Sequence, residues 1–112
     1  MRILIADSNP ARMDLYKRIL EQDKHEILTA KNRIEASLAY KRSEIDVVVL
    51  TLGTPDRIED LVKLYGTPIV AISASKEEEK AFSDTNFTIR KFDENNLRYA
   101  VKKLTSLELA VA

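Results

Sequence analysis

Residues 45–50, Ile-Asp-Val-Val-Val-Leu, constrain the fold of this chain more than any other stretch. Successive side chains of a strand point to opposite faces. Four consecutive apolar residues, three of them β-branched, therefore need cover on both sides. That is the signature of an interior strand in a parallel sheet with helices on each face. A strand with one wet face would alternate in polarity, and this one does not.

The flanking sequence supplies the other layers. Residues 2–6 (RILIA) and 26–30 (EILTA) read as strands, residues 66–73 (GTPIVAIS) as a fourth strand after a Gly-Thr-Pro break, and residues 86–90 (NFTIR) as a half-exposed edge strand. Asn9 followed by Pro10 marks a helix start, and Met13, Tyr16 and Leu20 then repeat with helical period to about Glu21. Asn32 is expected to cap a second helix carrying Ile34 and Leu38, and a short third helix follows over residues 58–65. KEEEKAF (residues 76–82) allows a turn or two of helix. Asp93 caps a last helix with the stripe Leu97, Ala100, Val101, Leu104 and Leu107. Five strands alternating with five helices predict a doubly wound α/β domain with right-handed crossovers. The two less continuous strands fall second and fifth, the edge positions of the flavodoxin-like order 2-1-3-4-5.

Composition narrows the function. At 112 residues the chain has the length of one domain. Eighteen basic residues balance eighteen acidic ones, so no overall field favours nucleic acid or an anionic membrane. The absence of cysteine excludes disulfides, thiolate catalysis and thiolate metal sites. The longest apolar run is far below the roughly 20 residues of a membrane span, and the first residues lack a signal-peptide plan. A cytoplasmic location is expected.

In the predicted topology the loops at the carboxyl edge of the sheet gather Asp7, Ser8, Thr51, Ser73, Arg90 and Lys91. Here the chain resembles a response-regulator receiver domain of the CheY-like superfamily, over Arg2 to about Leu104. RILIADSNP resembles that family's opening strand and acidic turn, and NRIEASL its second helix. IDVVVLTLGTP resembles the acceptor strand and loop, TPIVAISA the fourth strand, and RKFDENNL the closing Lys-Pro-Phe segment. The resemblance implies a receiver-like domain over residues 1–106, with residues 107–112 as a tail or the start of a linker.

The departures from the family pattern carry the functional expectation. Thr51 stands four residues before Pro55, where the family has its phospho-acceptor aspartate. Acyl-phosphate chemistry needs a carboxylate there, and a threonine hydroxyl without a base is a poor substitute. Thr51 is expected to end the strand, with its hydroxyl bonded to backbone. The family's acidic pair becomes Asp7 and Ser8, which leaves one of three acids and implies weak or absent Mg²⁺ binding. Arg90 aligns with the family's lysine and Lys91 with the following proline, while a one-residue slip would give Lys91 the lysine position. Ser73 keeps the hydroxyl of the fourth strand, and Phe87 takes the switch aromatic without a phenol. Asp7 and Arg90 are expected to face each other and hold the site in one state.

These residues imply an atypical, phosphorylation-independent receiver (a pseudo-receiver) that is not an enzyme and needs no cofactor. Its partner would be another protein or an attached output domain. The alternative is the N-terminal regulatory part of a larger DNA-binding transcription regulator, with no direct nucleic-acid contact by this domain. The segment between Ser73 and Arg90 is shorter than the family's usual spacing, so the fourth helix is expected to be shortened. That would alter the helix 4/strand 5/helix 5 face, through which a homodimer is possible. The single histidine, His25, is expected to be a surface loop residue. Lys102 and Lys103, beside Arg98 and Tyr99, are expected on a solvated helix face. A flavin site lacks its glycine-rich cradle, and no Ser-His-Asp set can be assembled around His25.

Overall fold

The computed structural model describes residues 1–51, 58–72, 87–89 and 93–111; for residues 59, 87–89 and 105–111 the backbone alone is described. The chain forms β1 (Arg2–Ala6), α1 (Pro10–Glu21), β2 (Glu26–Ala30), α2 (Arg33–Arg42), β3 (Val47–Leu50), α3 (Ile58–Tyr65), β4 (Ile69–Ile72) and β5 (Phe87–Ile89). A C-terminal helix, Glu94–Val111, follows. The strands pair in parallel in the order β2-β1-β3-β4-β5. The segment expected to hold a shortened fourth helix lies outside the described residues.

The period-two geometry of the strands explains the layers. Ile3, Ile5, Val47, Val49, Val70 and Ile72 point to one face, which is covered by Met13, Tyr16, Ile19 and Leu20 of α1 and by Leu97, Ala100, Val101 and Leu104 of the C-terminal helix. Leu4, Ala6, Ala30, Val48, Leu50 and Ile69 point to the other, against Ala36 of α2 and Ile58, Leu61 and Val62 of α3. All four residues of β3 are buried, because the strand has two strand neighbours and a helix layer on each side. β2, an edge strand, buries only Ala30 fully.

Helix ends follow their local chemistry. Asn9 accepts from the Arg12 amide at 3.1 Å, Asn32 from Glu35 at 2.9 Å and Asp93 from Asn96 at 2.7 Å. Each of these caps satisfies an otherwise orphaned helix donor. α3 closes in a Schellman motif. The Gly66 amide bonds to the Lys63 carbonyl at 3.0 Å and the Thr67 amide to the Val62 carbonyl at 3.3 Å, with Gly66 at φ +69°. A Cβ at Gly66 would meet nothing within 4 Å, so its cost is backbone strain alone. Gly66→Ala is expected to lose about 1 kcal/mol in a urea melt.

The packing of α2 is decided by the fold. Ile34 and Leu38 are not the packed face of α2: Ile34 is 74% exposed, and the helix buries Ala36 instead, with Ala39 and Tyr40 partly buried. Small residues let α2 lie close to the sheet, so its core stripe runs through alanines rather than through the larger apolar pair. Tyr40 closes the far end, stacking on Tyr65 with ring centroids 4.1 Å apart and donating to Thr67 Oγ1 at 2.8 Å. The C-terminal helix runs on through residues 107–111.

Candidate functional site

The site begins where β1 ends. Asp7 follows Ala6 directly and is fully buried. Its Oδ1 accepts the Asn9 amide at 2.8 Å, a turn closed by a side chain two residues back. That turn sets Asn9 to cap α1 and Pro10 to begin it. Arg12 then occupies the third helical position. Side chains in a helix lean toward its N-terminus, and Arg12 leans back over the turn to reach Asp7. Its Nε donates to Oδ2 at 2.8 Å and its Nη2 to Oδ1 at 2.9 Å, a side-on fork. From the neighbouring strand, Thr51 lies immediately after β3, 3% exposed, and its hydroxyl donates to Asp7 Oδ2 at 2.6 Å.

A carboxylate has about four acceptor positions, two on each oxygen. Those of Asp7 are filled by Asn9 N–H and Arg12 Nη2 on Oδ1, and by Arg12 Nε and Thr51 Oγ1 on Oδ2. Burial pushes the Asp7 carboxyl up, but the hydrogen bonds from Arg12, Thr51 and Asn9 and the positive charge of Arg12 outweigh it, holding Asp7 below the usual carboxylate range. Asp7 in turn raises the Arg12 guanidinium. The residues present do not fit Mg²⁺, which prefers carboxylate oxygens with free electron pairs. Asp7 has none left over, the adjacent Ser8 is exposed, and Thr51 directs its proton, not a lone pair, at the site.

The depressed Asp7 value has a consequence for acid stability. A group lowered on folding contributes stability that is complete above its unfolded value, about 3.9, and is lost as pH falls through its folded value. The stability advantage of the native chain over Asp7→Asn is therefore expected to be constant from pH 7 to about 5 and to shrink below about 4. Urea midpoints across that range measure it.

Of the residues anticipated from sequence, Asp7 and Thr51 meet directly. Ser73, Arg90 and Lys91 lie outside the described residues, as does the expected pairing of Asp7 with Arg90; Phe87 lies in β5, where the backbone alone is described. The described cation at Asp7 is Arg12, which sequence reasoning missed. One signal was available: the first turn of α1 contains no acidic residue and has an arginine, where the helix dipole disfavours positive charge. The Thr51 hydroxyl gives its proton to the Asp7 carboxylate, not to backbone as expected, because a buried anion is the stronger acceptor. His25 departs from its expected surface setting as well. It is half-buried, with Nδ1 enclosed and without a partner among the described residues.

No family model matches the chain. The transcriptional regulatory protein KdpE of Staphylococcus aureus is 31% identical over 83 residues, 70% of this chain, which spans 36% of the length of that relative. A response-regulator receiver domain from Clostridium thermocellum superposes with a TM-score of 0.82 at 18% identity, covering 99% of this chain and 98% of the other. TrrA of Thermotoga maritima, in complex with Mg²⁺ and BeF, superposes with a TM-score of 0.77 at 26% identity, covering 92% and 97%. The parallel sheet, with two described helices on each face and Asp7 at the carboxyl edge, agrees with these likenesses, which together support a response-regulator receiver domain of two-component signalling.

Proposed function

We propose that this chain is a pseudo-receiver: it signals without aspartate phosphorylation, through contact with a protein partner or an attached output domain, and it catalyses no reaction. The observation that carries this reading is the saturated carboxylate of Asp7, held by Arg12 and by Thr51 at the end of β3. Thr51 takes the acceptor position. Its hydroxyl is no phosphoryl acceptor comparable to a carboxylate, since the group it donates to, the Asp7 carboxylate, is held below the usual range and is a weak base. Arg12 supplies in covalent form the positive charge that a receiver otherwise draws from a metal, so one arrangement persists whatever the supply of phosphodonor. Ser73, Phe87, Arg90 and Lys91 complete the degenerate site in this reading.

The test is an NMR titration of the chain with Mg²⁺ and beryllofluoride. Amide resonances of Asp7, Thr51 and Phe87 are expected to stay where they are. Saturable shifts at those three positions would refute the proposal.

The likeness to KdpE, a transcriptional regulatory protein, favours a second reading. The chain would then be the regulatory part of a larger DNA-binding regulator, with the C-terminal helix leading toward the output domain. Reading the coding sequence beyond Ala112 separates the two, since a DNA-binding module there supports the second. Sedimentation at several concentrations tests whether the face made by the segment before β5, by β5 itself and by the C-terminal helix forms a homodimer. Among the described residues no helix is long and apolar enough to cross a membrane, and a cytoplasmic site of action accords with the reading.

A further inference from the structure

The connection from α1 to β2 runs along the amino edge of the sheet, opposite Asp7 and Thr51, and borders a cleft. Gln22, Asp23, Lys24 and His25 form one wall and Arg98, Tyr99 and Lys102 of the C-terminal helix the other, around about 570 Å³. That volume is in the range of small-molecule sites. Lys24, at φ +65°, closes the turn after α1, its amide donating to the Glu21 carbonyl at 3.0 Å. The His25 Nδ1 and the Arg98 Nε are both enclosed without a hydrogen-bond partner among the described residues. Asp23 stands 3.7 Å from that Nε, beyond hydrogen-bond reach.

The charge is also unbalanced. Lys24, Arg98 and Lys102 face a single lining carboxylate, Asp23, in a chain of zero net charge. Arg98 is further engaged by Glu94 at 2.9 Å and by Gln22, which fixes its guanidinium on the wall. Lys24 and Lys102 form no ion pair among the described residues. Tyr99, 58% exposed, and the aliphatic stems of the lysines give the cleft an apolar surface. A solvated row of lysines would account for the two ammonium groups, but not for the enclosed nitrogens.

We propose that this cleft binds a small organic anion, a carboxylate or phosphate carried on an apolar body. The anionic head meets the ammonium groups of Lys24 and Lys102, the body lies against Tyr99, and His25 in the wall gains a hydrogen-bond partner for its enclosed Nδ1. Burial and the N-terminal ammonium hold His25 below its ordinary value, against the pull of Asp23. A bound anion reverses that balance and raises it.

His25 is the chain's single histidine, so its imidazole resonances report on the cleft without ambiguity. The chain would be titrated with phenyl phosphate, with benzoate and with benzyl alcohol at constant ionic strength. Saturable shifts of His25 and Tyr99 with either anion, a rise in the His25 titration midpoint, and no response to the alcohol are expected. The tighter of the two anions identifies the head group. Lys24→Gln with Lys102→Gln, both at exposed positions, is expected to weaken binding tenfold or more while amide spectra show the fold intact. Equal shifts with benzyl alcohol, no saturable shift with either anion, or full binding by the double variant would overturn the site. Resonances of Asp7 and Thr51 are independent of all these outcomes, so the pseudo-receiver reading stands or falls separately.

Discussion

Arg12→Ala is expected to destabilise the fold by about 3 kcal/mol, lowering the melting temperature by roughly 10–15 °C. Arg12 lies on the surface end of α1, and an ordinary substitution there stays within about 0.5 kcal/mol. The difference arises from Asp7. Removing the guanidinium leaves a carboxylate that is fully buried with two of its four donors gone and no compensating charge. The loss falls at the low end of the range for broken buried pairs, because the Arg12 side chain is 45% exposed and water can partly replace it. In an Asp7→Asn background the same substitution should cost less than about 1 kcal/mol, since no buried charge is stranded. Urea unfolding of the four proteins of this cycle measures the coupling. Equal losses in both backgrounds would mean that Arg12 does not hold Asp7.

The second large effect is a gain. Ser8→Asp with Thr51→Asp restores three acids around the end of β1 and β3, but leaves Arg12 on the carboxylate that a metal needs. Adding Arg12→Ala frees two acceptor positions on Asp7. The triple variant is expected to bind Mg²⁺ saturably, and the double variant at least about tenfold more weakly, corresponding to 1.4 kcal/mol. Without Arg12 the three carboxylates repel one another, so the triple variant should also be less stable without Mg²⁺ and recover with it. Thermal melts with and without Mg²⁺ provide the measurement. A double variant that binds as well as the triple would remove Arg12 from the account.

The two effects share one cause. A receiver needs a cation beside its acidic turn, and whether that cation is exchangeable decides whether the site can respond to phosphoryl chemistry. In this chain the cation is tethered five residues from the carboxylate by the first turn of α1. On the pseudo-receiver proposal, this tether takes the place of an exchangeable ion, without the entropic cost of capturing one.

Much of the architecture could be read from local sequence. Val47–Leu50 required cover on two faces, and the sheet buries all four residues between helix layers. Asn9, Asn32 and Asp93 announced helix starts because a cap depends on donors within three residues of itself. Where packing distance decided, sequence misled. α2 seats Ala36 against the sheet and exposes Ile34, since closeness of approach, not hydrophobicity alone, selects the buried residue. Asp7 and Thr51 were legible as neighbours, because parallel strands β1 and β3 must end side by side. The hydrogen bonds between them were not. Sequence alone determined that the carboxyl edges of β1 and β3 carry Asp7, Ser8 and Thr51. Only the tertiary structure decided what holds Asp7, because a buried carboxylate takes whichever donors lie within hydrogen-bond reach, and that reach is set by how the turn before α1 points Arg12 back toward the sheet.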